Sequence, residues 1–575
     1  MIPDEKKPVP WGLPPLRAEV QRRRRAEAEA AAAALPQTSL STSECEKLGT
    51  TDCRITLELN GYRKRSPARE RDFMSVRKRL LVFLAGAVMM VGAVLYIRLV
   101  MYNPAAIDPS AFSATTLGTN PDTLEVVDKL LHAGFDESNT VAWDRLAEMT
   151  DLYGHRMTAS SGYSRSAAWV VHTVNTQDAN LTAYTEPVRV DEWRRYEESL
   201  SLYVPTRDRG QVEVPVLGLG NSVPTSSDGI MADVIPVRSF DELRRLGNAT
   251  IAGNIVLYNF DYTTYGDVVA FRTRGAVEAE KFGAVAVLVR SITPDSEFAS
   301  VHTGNSRRAK IPAAAISPAD ANFMERMYVR AQTKGNGYPR HVAPRVNLKM
   351  NSNLVENMAH SVNVIVDLPG TDRAQEIVLL SGHFDSWDVG VGAMDDGAGA
   401  FLAWEAARLI SKTSRAPRRS IRVVMWSNEE TFQRGAKAYF DRHEHEMAQH
   451  VFAIESDIGV FAPWGLSVAA DKKTVASLRN YGNDLLKILG AGNITSAEVE
   501  SPGEDIAILC QHGVPCAGFL SVNPENGAVP GQPQWENHYF RYHHASSDRV
   551  EAIDKHQLRR SAAALAAWAY LIADL

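Results

Sequence analysis

The sequence predicts an α/β protein, in which a mostly parallel mixed sheet is flanked by helices and interrupted by a smaller inserted α/β domain. Three observations support this. From Asn351 onward strand-like and helix-like runs alternate: "EIVLLSGHFD", "GAGAFLAWEAARLIS", "SIRVVMWSNEE", a helix, "HVFAIESD", and later "VPCAGFLS" before the closing helix "DKHQLRRSAAALAAWAYLIADL". Such alternation covers a sheet on both faces and favours parallel strands. Between residues 205 and 350 the apolar runs are shorter, "NIVLYNF", "AVAVLVRSI" and "IPAAAIS", with "DVVAFRTRGAVEAEKFG" as an amphipathic helix between the first two, the pattern of a small insert. Finally, 575 residues exceed one hydrophobic core, and 45% apolar with 23% charged residues is the composition of a folded globular protein.

Residues 1–79 are rich in Pro, Ala and Arg, include "RRRRAEAEAAAAA", and show no sustained apolar periodicity. They cannot bury enough surface to offset ordering entropy, so a disordered basic tail is expected. The tail holds 17 Lys/Arg against 11 Asp/Glu, so a chain of formal charge -6 carries about -12 beyond it, which speaks against a nucleic-acid partner. Leu80 to Ile97 is a run of 18 residues without a charge, preceded by Arg77, Lys78 and Arg79. It is just long enough to span a bilayer, and its basic N-terminal flank places the tail in the cytosol and the rest outside or in a lumen.

Residues 80–102 thus read as a signal anchor, making a single-pass type II membrane protein, with 103–119 as a linker. The other reading is a cleaved signal peptide, translated from Met74 and cut near Ala111 to Ser113, which makes the protein secreted or lysosomal. Both routes export the remainder. The sequons at Asn180, Asn248 and Asn493 all follow the apolar run and fit an exported glycoprotein. Beyond the tail only Cys510 and Cys516 remain, too few for a disulfide framework; they form either one bridge or two buried thiols.

Residues 120–204 open with two helical stretches, "DTLEVVDKLLHAGF" and "NTVAWDRLAEMTDLYG", and turn mixed thereafter. With 351–575 they form the two parts of the main domain around the insert.

The chemistry gathers where the predicted strands of the second part end. The strand at 377–382 ends in His383 and Asp385, that at 421–427 in Glu429 and Glu430, and that at 451–455 in Asp457; Asp395 and Asp396 enter the next helix, and His543 and His544 precede the last one. Ligands of such sheets bind at strand carboxyl ends. Carboxylates brought together there raise one another's pKa unless positive charge compensates, and no Lys or Arg cluster lies in these stretches. Divalent metal supplies it, and mixed His and carboxylate donors without thiolate suit zinc, or less selectively manganese or cobalt, in an open hydrolytic site. Five ligands are too many for one tetrahedral ion; two ions sharing a carboxylate account for the number.

His383-x-Asp385, Asp395 in "DDGAG", the Glu429-Glu430 pair, Asp457 and the His544-x-x-x-Asp548 ending, in this order, resemble the co-catalytic zinc exopeptidases of the aminopeptidase Y/glutamate carboxypeptidase (M28) family over roughly residues 120–575. Residues 205–350 then resemble that family's protease-associated insert. The resemblance implies two Zn2+ per subunit, with His383 and Asp457 on one ion, Glu430 and His544 on the other and Asp395 bridging. It further implies Glu429 as general base, a small peptide as substrate and a homodimer. Asp385 is expected to brace His383 by a carboxylate–imidazole hydrogen bond, His543 to stabilise the oxyanion, and Asp396 to cap the helix after Gly397, with Asp388 bound to no metal. "SPGED" at 501–505 and "NEETFQRGAK" at 428–437 depart from the family pattern, which bears on substrate preference.

The implied activity is hydrolysis of dipeptides or short peptides with free termini. Aminopeptidase action on longer peptides stays open. A non-catalytic transferrin-receptor-like protein is disfavoured by the filled ligand and base positions, and a single-zinc glutaminyl-cyclase-like acyltransferase by the insert and Asp395.

Overall fold

The computed structural model describes residues 119–294, 300–332, 342–498, 502–523, 526–529, 532 and 538–575. The basic tail, the apolar run and the linker up to residue 118 lie outside them. Among the described residues no helix is long and apolar enough to cross a membrane.

Three helices come first: α1 (Pro121–Ala133), α2 (Val141–Tyr153) and α3 (Ser161–Gln177). Asn120 and Ser160 cap α1 and α3 by accepting backbone N–H groups of Asp122 and Tyr163, and Pro121 occupies a first-turn position that needs no donor. The chain then enters β1 (Thr182–Tyr203), followed by β2 (Gln211–Val214) and β3 (Val216–Gly218). The insert proper is β4 (Ile230–Val237), α4 (Phe240–Ile251), β5 (Ile255–Tyr258), α5 (Tyr265–Glu280), β6 (Ala286–Arg290), β7 (Ala313–Ile316) and α6 (Pro318–Gln332). Next come β8 (Arg345–Leu368), β9 (Arg373–His383), α7 (Ala398–Ser411), β10 (Arg419–Trp426), α8 (Arg434–His443) and β11 (His450–Glu455). The chain closes through β12 (Ala462–Ala469), α9 (Lys472–Asp484), β13 (Asn493–Ser496), β14 (Cys516–Val522) and α10 (Lys555–Asp574).

The strands form one mixed sheet in the order β13-β12-β14-β11-β9-β10-β8-β4-β5-β6-β7-β3, with β1 beside β8 and β2 beside β1. β9 pairs parallel with both β10 and β11, and β4 to β7 are parallel within the insert, while β8 runs antiparallel to β10 and β4. The α/β class read from the sequence, with its mostly parallel mixed sheet, is the one observed. α7 and α10 are buried around almost their whole circumference, and their alanines let them pack closely on each other and on the sheet.

The long ribbon of β1 and β8 is what the sequence hid. Thr182 pairs with Asp367 at one end and Leu202 with Val346 at the other, with irregularities after Val190 and Arg195. One face carries Val188, Val190, Leu200 and Leu202 into the core, but Arg189, Asp191, Ser199 and Ser201 alternate with them, so "RVDEWRRYEESLSLY" lacks an apolar run. β8 crosses residue 350 unbroken, and its two ends belong to the sheet of the main domain and to that of the insert. Cys510 and Cys516 are joined as a disulfide that closes the short loop into β14.

α8 is pinned to β1 by a buried charge cluster. His443 Nε2 lies 2.9 Å from Glu186 Oε1, and its Nδ1 contacts Glu446. Burial alone would lower the His443 imidazole, but Glu186 and Glu446 hold it above its ordinary value, while their own carboxyls are held below theirs against burial by His443 and the nearby Arg442 and Arg422. The imidazolium therefore stabilises the fold fully below about pH 6.5, and its contribution fades as pH rises through the raised folded value. His443→Gln should lower the melting temperature on the order of 2 °C more at pH 6 than at pH 9. Equal deficits in thermal melts at the two pH values would contradict the charge assignment.

Candidate metal centre

β10 and β11 flank β9 on opposite sides, and in an open α/β sheet the loops leaving the strand carboxyl ends part at such a switch point. His383 is the last residue of β9, level with Trp426 of β10. Past Trp426, Asn428 takes φ 68° and starts a helical turn, Glu429–Phe432. This break allows adjacent glutamates to serve one site, which a continued strand would not. Asp457 lies two residues past β11, Asp395 in the turn before α7, and His543 and His544 in the loop before α10.

The eight predicted site residues come together. His383 Nε2 is 3.1 Å from Asp395 Oδ1 and 3.3 Å from Asp457 Oδ1. His544 Nε2 is 3.3 Å from Asp395 Oδ2 and 2.9 Å from Glu430 Oε2. Asp395 thus faces a His–carboxylate pair with each oxygen. His543 stacks on His544 at 3.6 Å between ring centroids, and its Nε2 is 3.8 Å from Asp395 Oδ2, so it too could donate to a cation there. Glu429, with Asp395, Glu430, Asp457 and both histidines, lines a cavity of about 970 Å³.

The electrostatics fit absent positive charge. Burial, reinforced by neighbouring carboxylates, pushes Glu429 and Glu430 well above the usual range and Asp457 up to about 6, although His383 opposes each shift. Burial lowers His383, yet Asp457 and Asp395 hold it well above its ordinary value, the pull of two carboxylates on one imidazole. Asp395 Oδ2 and Glu430 Oε1 are buried without a hydrogen-bond partner, as oxygens reserved for metal would be. The donor set therefore fits zinc.

The surrounding contacts correct one expectation and support another. The Asp385 carboxylate does not hydrogen-bond His383: Oδ1 is 3.9 Å from Nδ1, whereas the main-chain carbonyl of Asp385 accepts from that nitrogen at 2.9 Å. The carboxylate accepts instead from the Glu429 N–H at 3.0 Å and the Thr158 hydroxyl at 2.8 Å, so it fixes the turn carrying the glutamates. Asp396 accepts from the Gly399 N–H as a helix cap and from the His383 N–H, both at 3.1 Å. Asp388 pairs with Arg195 of β1 at 3.0 Å.

Three further residues support the centre: Asp548, which the sequence motif named without a role, and two arginines that went unread. Asp548 accepts from the N–H groups of Met394 and Asp395 at 2.6 and 3.2 Å. Arg156, fully buried, donates to the carbonyls of Phe384, Val391 and Gly392 at 2.6 to 2.7 Å and clamps the loop between His383 and Asp395. Arg272 of α5 reaches in from the insert, 3.3 Å from His544 Nδ1 and donating to the Tyr265 hydroxyl at 2.8 Å. These arginines are 110 residues or more from any predicted ligand in the chain, so nothing local signals them.

The insert also grips the histidine loop. The Thr303 N–H donates to the His544 carbonyl at 3.0 Å, and His302 Nδ1 lies 2.8 Å from the His543 carbonyl. His544 takes φ 60°, unfavourable for a residue of its bulk, and this pairing holds it there. At Gly304, φ 133°, a Cβ would come within 2.6 Å of both Arg272 and His544 Nδ1.

A mostly parallel α/β sheet carrying a mixed His–carboxylate centre at its switch point defines a metallohydrolase. The Peptidase family M28 model matches residues 363–569. Carboxypeptidase Q of Bos taurus is 35% identical over 445 residues, covering 77% of this chain and 87% of its own, and the Homo sapiens protein is 34% identical over 447. The crystal structure of a peptidase M28 precursor from Shewanella amazonensis superposes with a TM-score of 0.69 at 28% identity, covering 80% of this chain and 98% of that one. A zinc aminopeptidase from Bacillus subtilis shares the fold at a TM-score of 0.54 and 18% identity, over 76% and 97% of the two chains. The chain belongs to peptidase family M28 and is a zinc-dependent peptidase.

Gly304→Ala should crowd His544 through Arg272 and weaken zinc binding by roughly 10- to 100-fold, the usual cost of disturbing a residue that orients a ligand. Chelator competition measures this; an unchanged affinity would separate the insert from the centre.

Proposed function

We propose that the chain is a dizinc exopeptidase cleaving dipeptides or short peptides with free termini; the relatives named carboxypeptidase Q support cleavage at a free C-terminus. The observation that carries the reading is the sharing of Asp395: its two oxygens face separate His–carboxylate pairs, His383 with Asp457 and His544 with Glu430. One zinc would be held by each pair, with Asp395 between them.

Zinc bound there supplies Lewis acidity, lowering the pKa of water and polarising the scissile carbonyl. Glu429, on the cavity wall and tied through its N–H to Asp385, takes the proton of the attacking water and returns it to the leaving amine. His543, whose imidazole burial pushes down to about 3 despite Asp395, stays neutral and donates to the developing oxyanion. Arg272, 6% exposed and on the same wall, has no carboxylate within 4 Å among the described residues, and its Nε has no hydrogen-bond partner. A substrate carboxylate would satisfy it, which favours substrates with a free C-terminus.

Export belongs to the same reading. The disulfide fits an oxidising compartment, and Asn180, Asn248 and Asn493 are exposed as glycosylation requires. The segment 80–102 would anchor or lead the chain, leaving the catalytic part luminal or extracellular; the homodimer rests on the family resemblance.

Glu429→Gln should lower kcat by about 10²–10⁴-fold on dipeptides while zinc content stays at two per chain. Retained activity would remove Glu429 as the base. Asp395→Asn should lose both ions by metal analysis; loss of only one would remove the bridge.

A further inference from the structure

Two stretches that lie far apart in sequence meet in the fold. Gln433, from "NEETFQRGAK", donates through Nε2 to Glu504 Oε2, from "SPGED", at 3.2 Å, and both side chains line the cavity. Neither position is loosely held. Gln433 closes the turn that carries Glu429 and Glu430, at φ 52°, with its N–H donating to the Asn428 carbonyl at 2.7 Å. Glu504 lies in a loop packed on the end of β11: the N–H groups of Asp505 and Ile506 donate to the Glu455 carboxylate at 3.3 and 3.1 Å. Gly503 sits so close that a Cβ would come within 2.1 Å of Glu455 Oε2.

Glu504 itself is exposed to the cavity and has no Lys, Arg or His within 4 Å among the described residues. Gln433, which it contacts, ends the turn that carries Glu429, and Glu455, which holds its loop, lies two residues before Asp457, so Glu504 stands near the reacting end. Arg272 is the only Lys or Arg among the described residues lining the same cavity, and it stands beside His544. The cavity thus offers an unpaired cation near the His544 group and an unpaired carboxylate near the Asp457 group, a polarity matched by a zwitterionic peptide.

We propose that Glu504 is the anchor for a substrate alkylammonium group, that Gln433 positions it, and that its occupant is the free α-ammonium of a dipeptide. This rests on the exopeptidase reading above. A carboxylate with one oxygen held by an amide keeps the other for a charge-assisted hydrogen bond to an ammonium, and the Gln433 contact fixes its rotamer before substrate arrives.

The test uses the full-length zinc-loaded protein with Ala-Leu, N-acetyl-Ala-Leu and N-acetyl-Lys-Leu. Glu504→Gln should raise KM for Ala-Leu by about 10- to 100-fold with kcat little changed, bringing the kcat/KM ratio of free to acetylated Ala-Leu toward one. Gln433→Ala should lose part of that ratio, and the double variant should lose no more than Glu504→Gln alone. An unchanged ratio in Glu504→Gln, or a fall in kcat without a rise in KM, would overturn the proposal. A loss confined to N-acetyl-Lys-Leu would overturn the α-ammonium as occupant and give the place to a side-chain amine. Calorimetric binding of a phosphinic Ala-Leu analogue, free or N-acetylated, repeats the comparison without turnover. A parent protein that hydrolyses no peptide refutes the exopeptidase reading, while the binding preference still decides the role of Glu504.

Discussion

The structure around the centre depends on one constraint: more carboxylate is buried at the sheet edge than the polypeptide's own cations can neutralise. Asp395, Asp396, Glu430, Asp385 and Asp548 are all nearly inaccessible to solvent, with Glu429 and Asp457 beside them. Burying an unpaired carboxylate costs several kcal/mol, so each must be hydrogen-bonded, protonated or bound to metal. The fold sorts them accordingly. Asp385, Asp396 and Asp548 accept backbone N–H groups, while Asp395 and Glu430 each keep a buried oxygen with no partner. Zinc stabilises a chain that pays this electrostatic cost in advance, and metal affinity and folding stability are therefore linked.

The hydrogen-bonded carboxylates also explain how rigid placement arises from loops. Asp385 ties the strand β9 exit to the glutamate turn, Asp396 ties the helix α7 start to the His383 backbone, and Asp548 ties the histidine loop to Asp395. Each carboxylate joins two segments that bring candidate ligands or the base. Arg156 adds a cationic clamp whose three acceptors are main-chain carbonyls, so it orders the loop without drawing a carboxylate away from the centre.

Much of this was legible in the sequence, because strand ends are marked by the step from apolar runs to charged residues, as at His383, Glu429 and Asp457. The helices around Asp267–Glu280 and Lys555–Asp574 and the short apolar strands of the insert are equally plain. The β1–β8 ribbon was not, because the core residues of β1 are separated by Arg, Asp, Glu and Ser, so its alternation contains no apolar run. The role of Asp385 was half legible: spacing placed it beside His383, but its main-chain carbonyl takes the imidazole and leaves the carboxylate for the next loop. Arg156 and Arg272 act across the fold, through acceptors that no local spacing encodes.

The ribbon in turn gives the insert its place in the chemistry. Because β8 belongs to both the main-domain part of the sheet and the insert part, residues 302–304 and α5 are carried to the histidine loop by continuous hydrogen-bonded backbone, not by a flexible linker. There the insert contributes what the strand ends lack: backbone groups that hold His544 in an unfavourable conformation, and a buried guanidinium on a wall otherwise rich in carboxylate. An insert joined by a hinge could open and close over the cavity; one that shares a strand and grips the His544 backbone makes cavity shape and ligand geometry a single property of the fold.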